Sequence, residues 1–258
     1  MIFSLDYFNL QLPTPNYQLT LMESLFTFNT LPGPCGYLPE QTSSLYYEVV
    51  GQITPGEYLT RLQSGWRRFG YSLFKPECPS CRRCQSLRVP VATFKPSRSQ
   101  RRAVAANDSE ITIAIGEPSV SESKLELYDR FHRFQHVNKG WPQHGEENPG
   151  AYLESFVDNP FPTEEWCYYL GHELVGVGYV DCLPEGLSAI YFFYDPEERE
   201  RSLGTYNVVS IIREAARRHL PHVYLGYFVE GCRSLEYKGR FRPNETVQQD
   251  GTWRPFFQ

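Results

Sequence analysis

The C-terminal half carries a run of patterns that limits the possible folds more than any other feature of the chain. Three short segments rich in β-branched and aromatic residues are separated by tight turns, at residues 166–170, 174–181 and 187–194. That spacing predicts an antiparallel meander. A loop from Arg201 to Tyr206 leads into a segment with apolar residues at helical spacing, and a further strand is predicted over 223–229.

Two helices are predicted before the meander, over residues 124–137 and 152–157. Two helices, three antiparallel strands, a glycine-containing loop, a helix and a strand follow one another in the order of the GNAT acyltransferase fold. The chain therefore resembles that fold over residues 106–258. We expect an α+β protein with a GNAT-like acyltransferase domain there, preceded by a basic, cysteine-containing α+β region over residues 1–105.

In the GNAT fold a helix N-terminus after the fourth strand cradles the phosphates of the acyl donor. Free backbone N–H groups and the helix dipole make such a terminus attractive to anions, and a glycine lets the backbone approach closely. The resemblance places this role at Arg201, Ser202 and Gly204. The sequence Arg201-x-x-Gly204-x-Tyr206 departs from the usual acyl-CoA loop, which has a small residue at the last place.

A concentrated basic stretch lies in the N-terminal region. Between Arg61 and Arg102 there are eleven Lys or Arg residues and one acid, Glu77, so the stretch carries about +10. The whole chain carries −5, which leaves about −15 for the remainder. A basic block in an acidic protein predicts a polyanionic partner bound at one place on the surface. Aromatic residues and prolines interrupt the block throughout, which indicates a folded surface.

Seven cysteines form an arrangement unsuited to disulfide pairing. Cys78, Cys81 and Cys84 are spaced as Cys-x-x-Cys-x-x-Cys, and Cys35 sits in a rigid loop of prolines and glycines upstream. An odd number with close spacing favours metal binding or free thiols in a reducing compartment. The four cysteines predict either a site for zinc or an iron–sulfur cluster, or free thiols, and both readings stay open.

The expected location is the cytoplasm. No apolar run approaches the length of a membrane span, and the first residues show no basic leader before an apolar segment, so neither a membrane partner nor a signal peptide is expected.

A series of short blocks occurs in order along the chain. They are Cys35-Gly-Tyr-Leu-Pro39, Gly65-Trp-Arg-Arg-Phe-Gly70, Phe74-Lys-Pro76, Cys78-x-x-Cys81-x-x-Cys84, Leu87-Arg-Val-Pro-Val91, Phe94-x-Pro-Ser97-x-Ser-Gln100, Tyr194-Asp-Pro196, Ser202-Leu-Gly204, Tyr224-Leu-Gly-Tyr227, Cys232 and Tyr237-Lys238. Together they resemble the aminoacyl-tRNA–protein transferase family of the N-degron pathway. The residues between about 105 and 165 carry little of this resemblance.

The resemblance is stronger to the bacterial aspartate/glutamate leucyltransferase branch than to the arginyl branch. Leu38 stands where the arginyl-transferases usually have a second cysteine, and the cysteine loop lacks their adjacent Cys-Cys pair. This implies transfer of leucine from Leu-tRNA to the N-terminal α-amine of proteins that begin with Asp or Glu, which creates a destabilising N-terminus for degradation. Arginyl transfer to the same acceptors is the close alternative. The ester is already activated, so no cofactor is required, and DNA is not an expected partner.

The two substrates suggest different residue types. Phosphates of the tRNA need cations, and an acidic N-terminal residue needs a cationic pocket, for which Arg offers a bidentate grip. The candidates for substrate and tRNA binding are Arg67, Arg68, Lys75, Arg88, Arg101, Arg102, Arg201, Ser202, Gly204, Tyr237 and Lys238. The candidates for a general base are Tyr227, Glu230 and Glu236, which lie near the last blocks.

Two rival classes remain. An acetyl-CoA-dependent N-acetyltransferase would fit the GNAT-like order but leaves the basic cysteine-rich region unexplained. A non-enzymatic nucleic-acid-binding module would fit the basic region but leaves the acyltransferase-like half unexplained.

Overall fold

The computed structural model describes residues 21–143, 145, 148–248 and 250–257. The expectation that no signal peptide is present concerns the first residues and lies outside this part. Within it, no helix is both long enough and apolar enough to cross a membrane.

The structure contains six α-helices and fourteen strands among the described residues. The helices are α1 (Pro55–Gln63), α2 (Arg98–Asn107), α3 (Glu122–Lys139), α4 (Pro149–Tyr152), α5 (Leu203–Arg217) and α6 (Arg233–Glu236). The strands are β1 (Glu23–Asn29), β2 (Gly33–Pro34), β3 (Thr42–Ser43), β4 (Leu45–Gln52), β5 (Arg67–Phe69), β6 (Ser72–Pro76), β7 (Gln85–Pro90), β8 (Ile111–Gly116), β9 (Thr163–Leu170), β10 (Glu173–Leu183), β11 (Gly186–Tyr194), β12 (His222–Phe228), β13 (Asn244–Val247) and β14 (Trp253–Phe257). The mixed α+β class is confirmed, and so is the antiparallel meander, which is β9, β10 and β11.

Helix α2 begins inside the polar, basic segment 95–102, where the sequence analysis gives no helix. Ser97 accepts a hydrogen bond from the backbone N–H of Gln100, and the Gln100 side chain accepts one from the N–H of Ser97. This capping box satisfies two N–H groups that a helix start would otherwise leave without partners. The signal Ser-x-x-Gln was present in the sequence, but the high charge of the segment obscured it.

The strands form two main sheets. The smaller sheet has the order β1-β4-β6-β5 and packs on α1, which begins with a capping box between Thr54 and Glu57. The larger sheet has the order β14-β13-β7-β12-β11-β10-β9-β8. Its strand β7 comes from the basic region, so the large sheet takes strands from both sides of residue 105. The division of the chain at that residue stays a prediction.

One pair of strands in the large sheet is parallel. β11 and β12 pair only at Gly186–Ser188 against His222–Tyr224, and every other neighbouring pair in this sheet is antiparallel. Beyond the three paired positions each strand continues without pairing to the other, and a cavity opens beside them. A register shift between Tyr224 and Gly226 interrupts the pairing of β12 with β7 at the same level.

Two helices close this region. Helix α5 follows β11 and buries an apolar face that includes Val208, Ile211 and Ile212 against the large sheet. Helix α3 buries Leu127 and Phe131 against β10 and β11. Both helices contribute residues to the cavity.

Candidate active site

The cavity has a volume of about 540 Å³ and draws its lining from both halves of the sequence. Strand β5 contributes Arg67, α3 contributes Phe131 and Gln135, and the start of α5 contributes Gly204. The last portion of the large sheet and the turns after it contribute residues such as Gly226 and Lys238 (the lining also includes Tyr191, Tyr194, Thr205, Tyr227, Arg233 and Tyr237). We call this cavity the cleft.

Arg67 is a buried cation that forms no ion pair with any carboxylate in the part of the chain that the structure describes. Its side chain bonds through Nη1 to the carbonyl oxygens of Trp66, at 2.5 Å, and Leu62, at 3.5 Å. Its Nε and Nη2 atoms are buried and have no hydrogen-bond partner in the structure. The guanidinium stacks on the ring of Tyr227 with 5.0 Å to the ring centroid. Three N–H donors of the planar guanidinium thus have no acceptor. This destabilises the folded protein unless a ligand accepts hydrogen bonds from them.

Lys238 lies beside Arg67 in the cleft. Burial, and after it the positive charge of Arg67, lower the pKa of Lys238 to about 7. No carboxylate of the described residues forms an ion pair with either cation. An anion bound between the two cations would relieve the repulsion that the free protein carries.

Gly226 keeps the space between these cations open. A Cβ at this position would lie 3.3 Å from Nζ of Lys238 and 3.6 Å from Nε of Arg67. Its φ of 78° lies in the left-handed region, which favours glycine. At the irregularity in β12, Gly226 therefore places backbone without a side chain at the point where Arg67 and Lys238 converge.

Arg68 has a different role from its neighbour. Its Nε bonds to Asp181 at 3.0 Å, Nη1 bonds to Gly70 and Asn159, and Nη2 bonds to Thr163 and Asp181. The side chains of Arg68 and Asp181 are 1% and 0% exposed. Although Arg68 was a candidate for substrate binding and touches the cleft, all its donor nitrogens have protein partners. They tie the small sheet to β10.

The three candidates for a general base lie in different surroundings. Tyr227 lines the cleft, but its hydroxyl donates to the carbonyl of Gly65 at 2.8 Å and burial raises its pKa above the ordinary value. Glu230 and Glu236 are exposed and are absent from the lining of the cleft. Tyr237, a substrate-binding candidate, does line the cleft, and burial raises its pKa to about 12. A base role for any of these groups stays a prediction.

The start of α5 lies at the edge of the cleft, and a phosphate-binding role for it stays a prediction. Gly204 lines the cleft, with open space where a Cβ would stand. Ser202 adopts a left-handed φ of 57°, and its side chain makes no capping hydrogen bond to the first turn. Arg201 points elsewhere, into ion pairs with Glu198 at 2.7 Å and Glu110 at 2.8 Å.

The remaining basic candidates lie outside the cleft. Lys75 pairs with Glu77 at 3.0 Å, and Arg88 pairs with Glu245 at 2.7 Å while stacking on a tryptophan. Arg101 and Arg102 are exposed on α2. Their part in tRNA binding stays a prediction.

The four candidate metal-binding cysteines all line a second cavity, of about 610 Å³, which we call the cysteine cavity. Cys35, Cys78, Cys81 and Cys84 are all free thiols there, and burial followed by the nearby thiols raises the pKa of Cys84 to about 12. Thiolates suit zinc and iron–sulfur clusters, but within the described residues no group of three or more Cys, His, Asp or Glu side chains comes together as a metal site. A metal at these cysteines stays a prediction, with free thiols as the alternative.

Sequence reasoning missed Gln135 of α3. The buried side chains of α3 are Lys124, Leu127, Phe131 and Gln135, which form one stripe along the helix. A glutamine at the last position of that stripe was the available signal. The helix pattern alone does not show that Gln135 lines the cleft.

Models of one family match most of the chain. Residues 33–102 match the description "Arginine-tRNA-protein transferase, N terminus", and residues 123–248 match "Arginine-tRNA-protein transferase, C terminus". The aspartate/glutamate leucyltransferase of Campylobacter jejuni (serotype O:23/36, strain 81-176) is 35% identical over 224 residues, which cover 86% of this chain and 92% of the relative. The enzyme of the same name from Pseudomonas aeruginosa (strain LESB58) is 36% identical over 231 residues, with 88% and 95% covered.

Solved structures are more distant. The C-terminal DUF2156 domain of a putative lysylphosphatidylglycerol synthetase from Agrobacterium fabrum aligns with a TM-score of 0.46 and 11% identity, covering 67% of this chain and 58% of that one. L-PGS from Bacillus licheniformis aligns with a TM-score of 0.43 and 14% identity over the same shares. The family assignment depends on the sequence matches, which are long, collinear and nearly complete in the relatives. The chain is an aminoacyltransferase of the arginine-tRNA-protein transferase family, similar over most of its length to the aspartate/glutamate leucyltransferases.

Proposed function

We propose that this enzyme transfers leucine from Leu-tRNA to the N-terminal α-amine of proteins that begin with Asp or Glu, and that the transfer takes place in the cleft. The observation that carries the proposal is the pair of cations without counter-charge, Arg67 and Lys238, which converge at Gly226 inside the cleft. The names of the relatives supply the donor and acceptor classes.

The acidic side chain of the acceptor fits between Arg67 and Lys238. The free Nε and Nη2 of Arg67 offer a bidentate grip on a carboxylate, and Lys238 supplies a second charge next to Gly226. Because the pKa of Lys238 is depressed to about 7 in the free protein, a bound carboxylate also restores its charge. An acceptor that begins with a neutral residue would leave the buried Arg67 and the half-buried Lys238 without a counter-charge.

The same lining favours leucine over arginine as the donor. The described residues around the cleft include Arg67, Arg68, Lys139, Arg233 and Lys238 but no Asp or Glu. A guanidinium on the donor would meet positive charge there and find no carboxylate to pair with. The apolar side chain of leucine instead fits the aromatic portion of the cleft, which Phe131, Trp141 and Tyr194 form.

The chemical step requires a neutral amine and an activated ester. A free α-amine has a pKa of about 8, and cations beside it lower that value, which increases the neutral fraction near pH 7. The amine nitrogen attacks the ester carbonyl carbon, the bond to the ribose oxygen breaks, and a proton of the amine passes to that oxygen. Holding the two substrates in place in one cleft supplies on the order of 7–11 kcal/mol of the barrier reduction, and the reaction uses no ATP.

We also propose that the domain around the cleft is GNAT-like. The support is that α5 follows β11, the fourth strand counted from β8, and that its first turn lines the cavity beside the separated ends of β11 and β12. The uncapped start of α5 at Gly204 suits a phosphate or hydroxyl oxygen of the acceptor stem. We place the reaction in the cytoplasm, consistent with seven free cysteines.

The test is a transfer assay with purified protein and labelled Leu-tRNA or Arg-tRNA, against peptides that begin with Asp, Glu, Lys or Ala. Transfer of Leu to the Asp and Glu peptides only is the expected result. Arginine transfer instead would contradict the charge argument for the donor. Absence of transfer with every pair, together with binding of acetyl-CoA, would replace the proposal with an N-acetyltransferase.

A further inference from the structure

We propose that the side-chain oxygen Oε1 of Gln135 accepts a hydrogen bond from the α-amino group of the leucyl donor, while the aromatic residues beside it hold the leucine side chain. This inference rests on the proposed function and assigns a residue to the leucyl group of the donor, whereas the sequence candidates Arg201, Ser202 and Gly204 concern the donor's phosphates. It makes Gln135 a positioning residue that discriminates an aminoacyl ester from an acyl ester without the amine.

The position of Gln135 is unusual for its helix. The buried residues Leu127, Phe131 and Gln135 are spaced four residues apart along α3, so they lie on one face, and the first two pack in an apolar cluster with β10 and β11. An apolar residue would continue this stripe at lower cost. A polar residue that breaks a local rule at the edge of a cavity is typical of a functional position.

The carboxamide of Gln135 is buried but its oxygen is unused. Gln135 is only 2% exposed, and Oε1 has no hydrogen-bond partner in the structure. Native proteins pair nearly all such groups, because a buried acceptor without a donor destabilises the fold. Gln135 lines the cleft, so a bound ligand can supply the missing donor.

The surroundings of Gln135 match a leucine side chain. The backbone carbonyl of Gln135 accepts a hydrogen bond from the N–H of Trp141, which holds the indole next to the end of α3. The ring of Phe131 lies 6.1 Å from that of Trp141 and 5.3 Å from that of Tyr194, centroid to centroid. One unpaired acceptor at the edge of an aromatic group suits an isobutyl chain whose Cα carries an amine.

The charges of the cleft distinguish the donor from the acceptor. The acidic acceptor is drawn to Arg67 and Lys238, which converge at Gly226. Gln135 is neutral and stands with aromatic residues, so it offers a carboxylate no favourable charge. Its free atom is an acceptor, and the leucyl α-amine is the group of Leu-tRNA at the reacting end that carries N–H donors next to an apolar chain.

The experiment compares two donors, Leu-tRNA and tRNA acylated chemically with 4-methylpentanoic acid, which lacks only the amine. The acceptor is a peptide that begins with Asp. The wild-type enzyme is expected to prefer Leu-tRNA by roughly 10- to 150-fold in kcat/KM, the range for one hydrogen bond to a charged group. Gln135→Leu is expected to lose this preference, because its rate falls with Leu-tRNA and changes little with the deaminated donor.

Two further variants keep the proposal falsifiable. Gln135→Glu keeps an acceptor oxygen at the same distance and is expected to retain the preference, whereas Asn138→Leu changes an exposed polar residue of the same helix and should behave as wild type. Thermal unfolding of each variant identifies loss of fold. An equal loss with both donors, or an unchanged preference in Gln135→Leu, would overturn the inference. If the wild type transfers leucine to no acceptor, the proposed function itself fails, which is a distinct outcome.

Discussion

The sharpest prediction concerns Arg67→Met, which removes a buried charge and preserves a long, flexible side chain. The variant deletes the donors that we assign to the acceptor carboxylate, namely Nε and Nη2 of Arg67. A hydrogen bond to a charged group contributes about 1.5–3 kcal/mol. We therefore expect kcat/KM for an Asp-initiated peptide to fall by roughly 10- to 150-fold, at about 1.4 kcal/mol for each factor of ten.

The stability of this variant should change in an unusual direction. Each unpaired donor that disappears removes a cost of about 1–3 kcal/mol from the folded state. Against this, the protein loses the two bonds from Nη1 to Leu62 and Trp66 and the contact with the Tyr227 ring. At about 1.5–3 kcal/mol for each bond to a charged group and about 0.5–2 kcal/mol for the ring contact, those losses are about 3.5–8 kcal/mol together, close to the about 3–9 kcal/mol regained from the three N–H donors. The free energy of unfolding should stay within about 2 kcal/mol of the wild type while activity collapses.

The matched control is Arg68→Met, which changes the neighbouring residue and the same chemistry. Arg68 forms a fully buried pair with Asp181, and removing one partner of such a pair costs about 3–5 kcal/mol. Urea unfolding of both variants, peptide-binding calorimetry and Leu-tRNA binding give the comparison. The reasoning would be refuted if Arg67→Met bound the Asp peptide normally, or if it lost Leu-tRNA affinity instead, or if it were destabilised as strongly as Arg68→Met.

Three other outcomes follow from the cleft and its supports. Lys238 has a pKa of about 7, so its charge is lost as the pH rises through 7, whereas the arginine of Lys238→Arg stays charged. The ratio of wild-type to variant kcat/KM for an Asp peptide should therefore fall between pH 6 and 9, and a constant ratio would contradict this. Gly226→Ala forces a side chain into a left-handed backbone at a cost of about 1–2 kcal/mol and places a methyl 3.3 Å from the Lys238 nitrogen, so KM for the acceptor should rise more than KM for Leu-tRNA. Ser97→Ala should lower the free energy of unfolding by about 1 kcal/mol through the lost cap of α2 and leave KM unchanged; an effect on KM without one on stability would give α2 a direct role in binding.

The parts of the fold that depend on local patterns could be predicted from the sequence. The meander and α5 follow from alternation and helical spacing, and each is present with bounds that differ by a few residues. The position of β7 within the large sheet could not be predicted, because pairing between distant segments leaves no local pattern. The same reason hides the cleft, whose lining residues Arg67, Lys238 and Gln135 come from three distant segments.

The adjacent residues Arg67 and Arg68 illustrate why the roles of site residues could not be predicted from the sequence. Both belong to one basic motif, and charge counting treats them alike. Successive residues of a strand point to opposite faces, so on β5 the two side chains meet different neighbours. Arg68 reaches Asp181 and becomes part of the scaffold, while Arg67 reaches the ring of Tyr227 and keeps free donors. Because the missing counter-charge decides the difference, a motif can indicate that cations matter here, but only the packed structure shows which one remains available to a substrate.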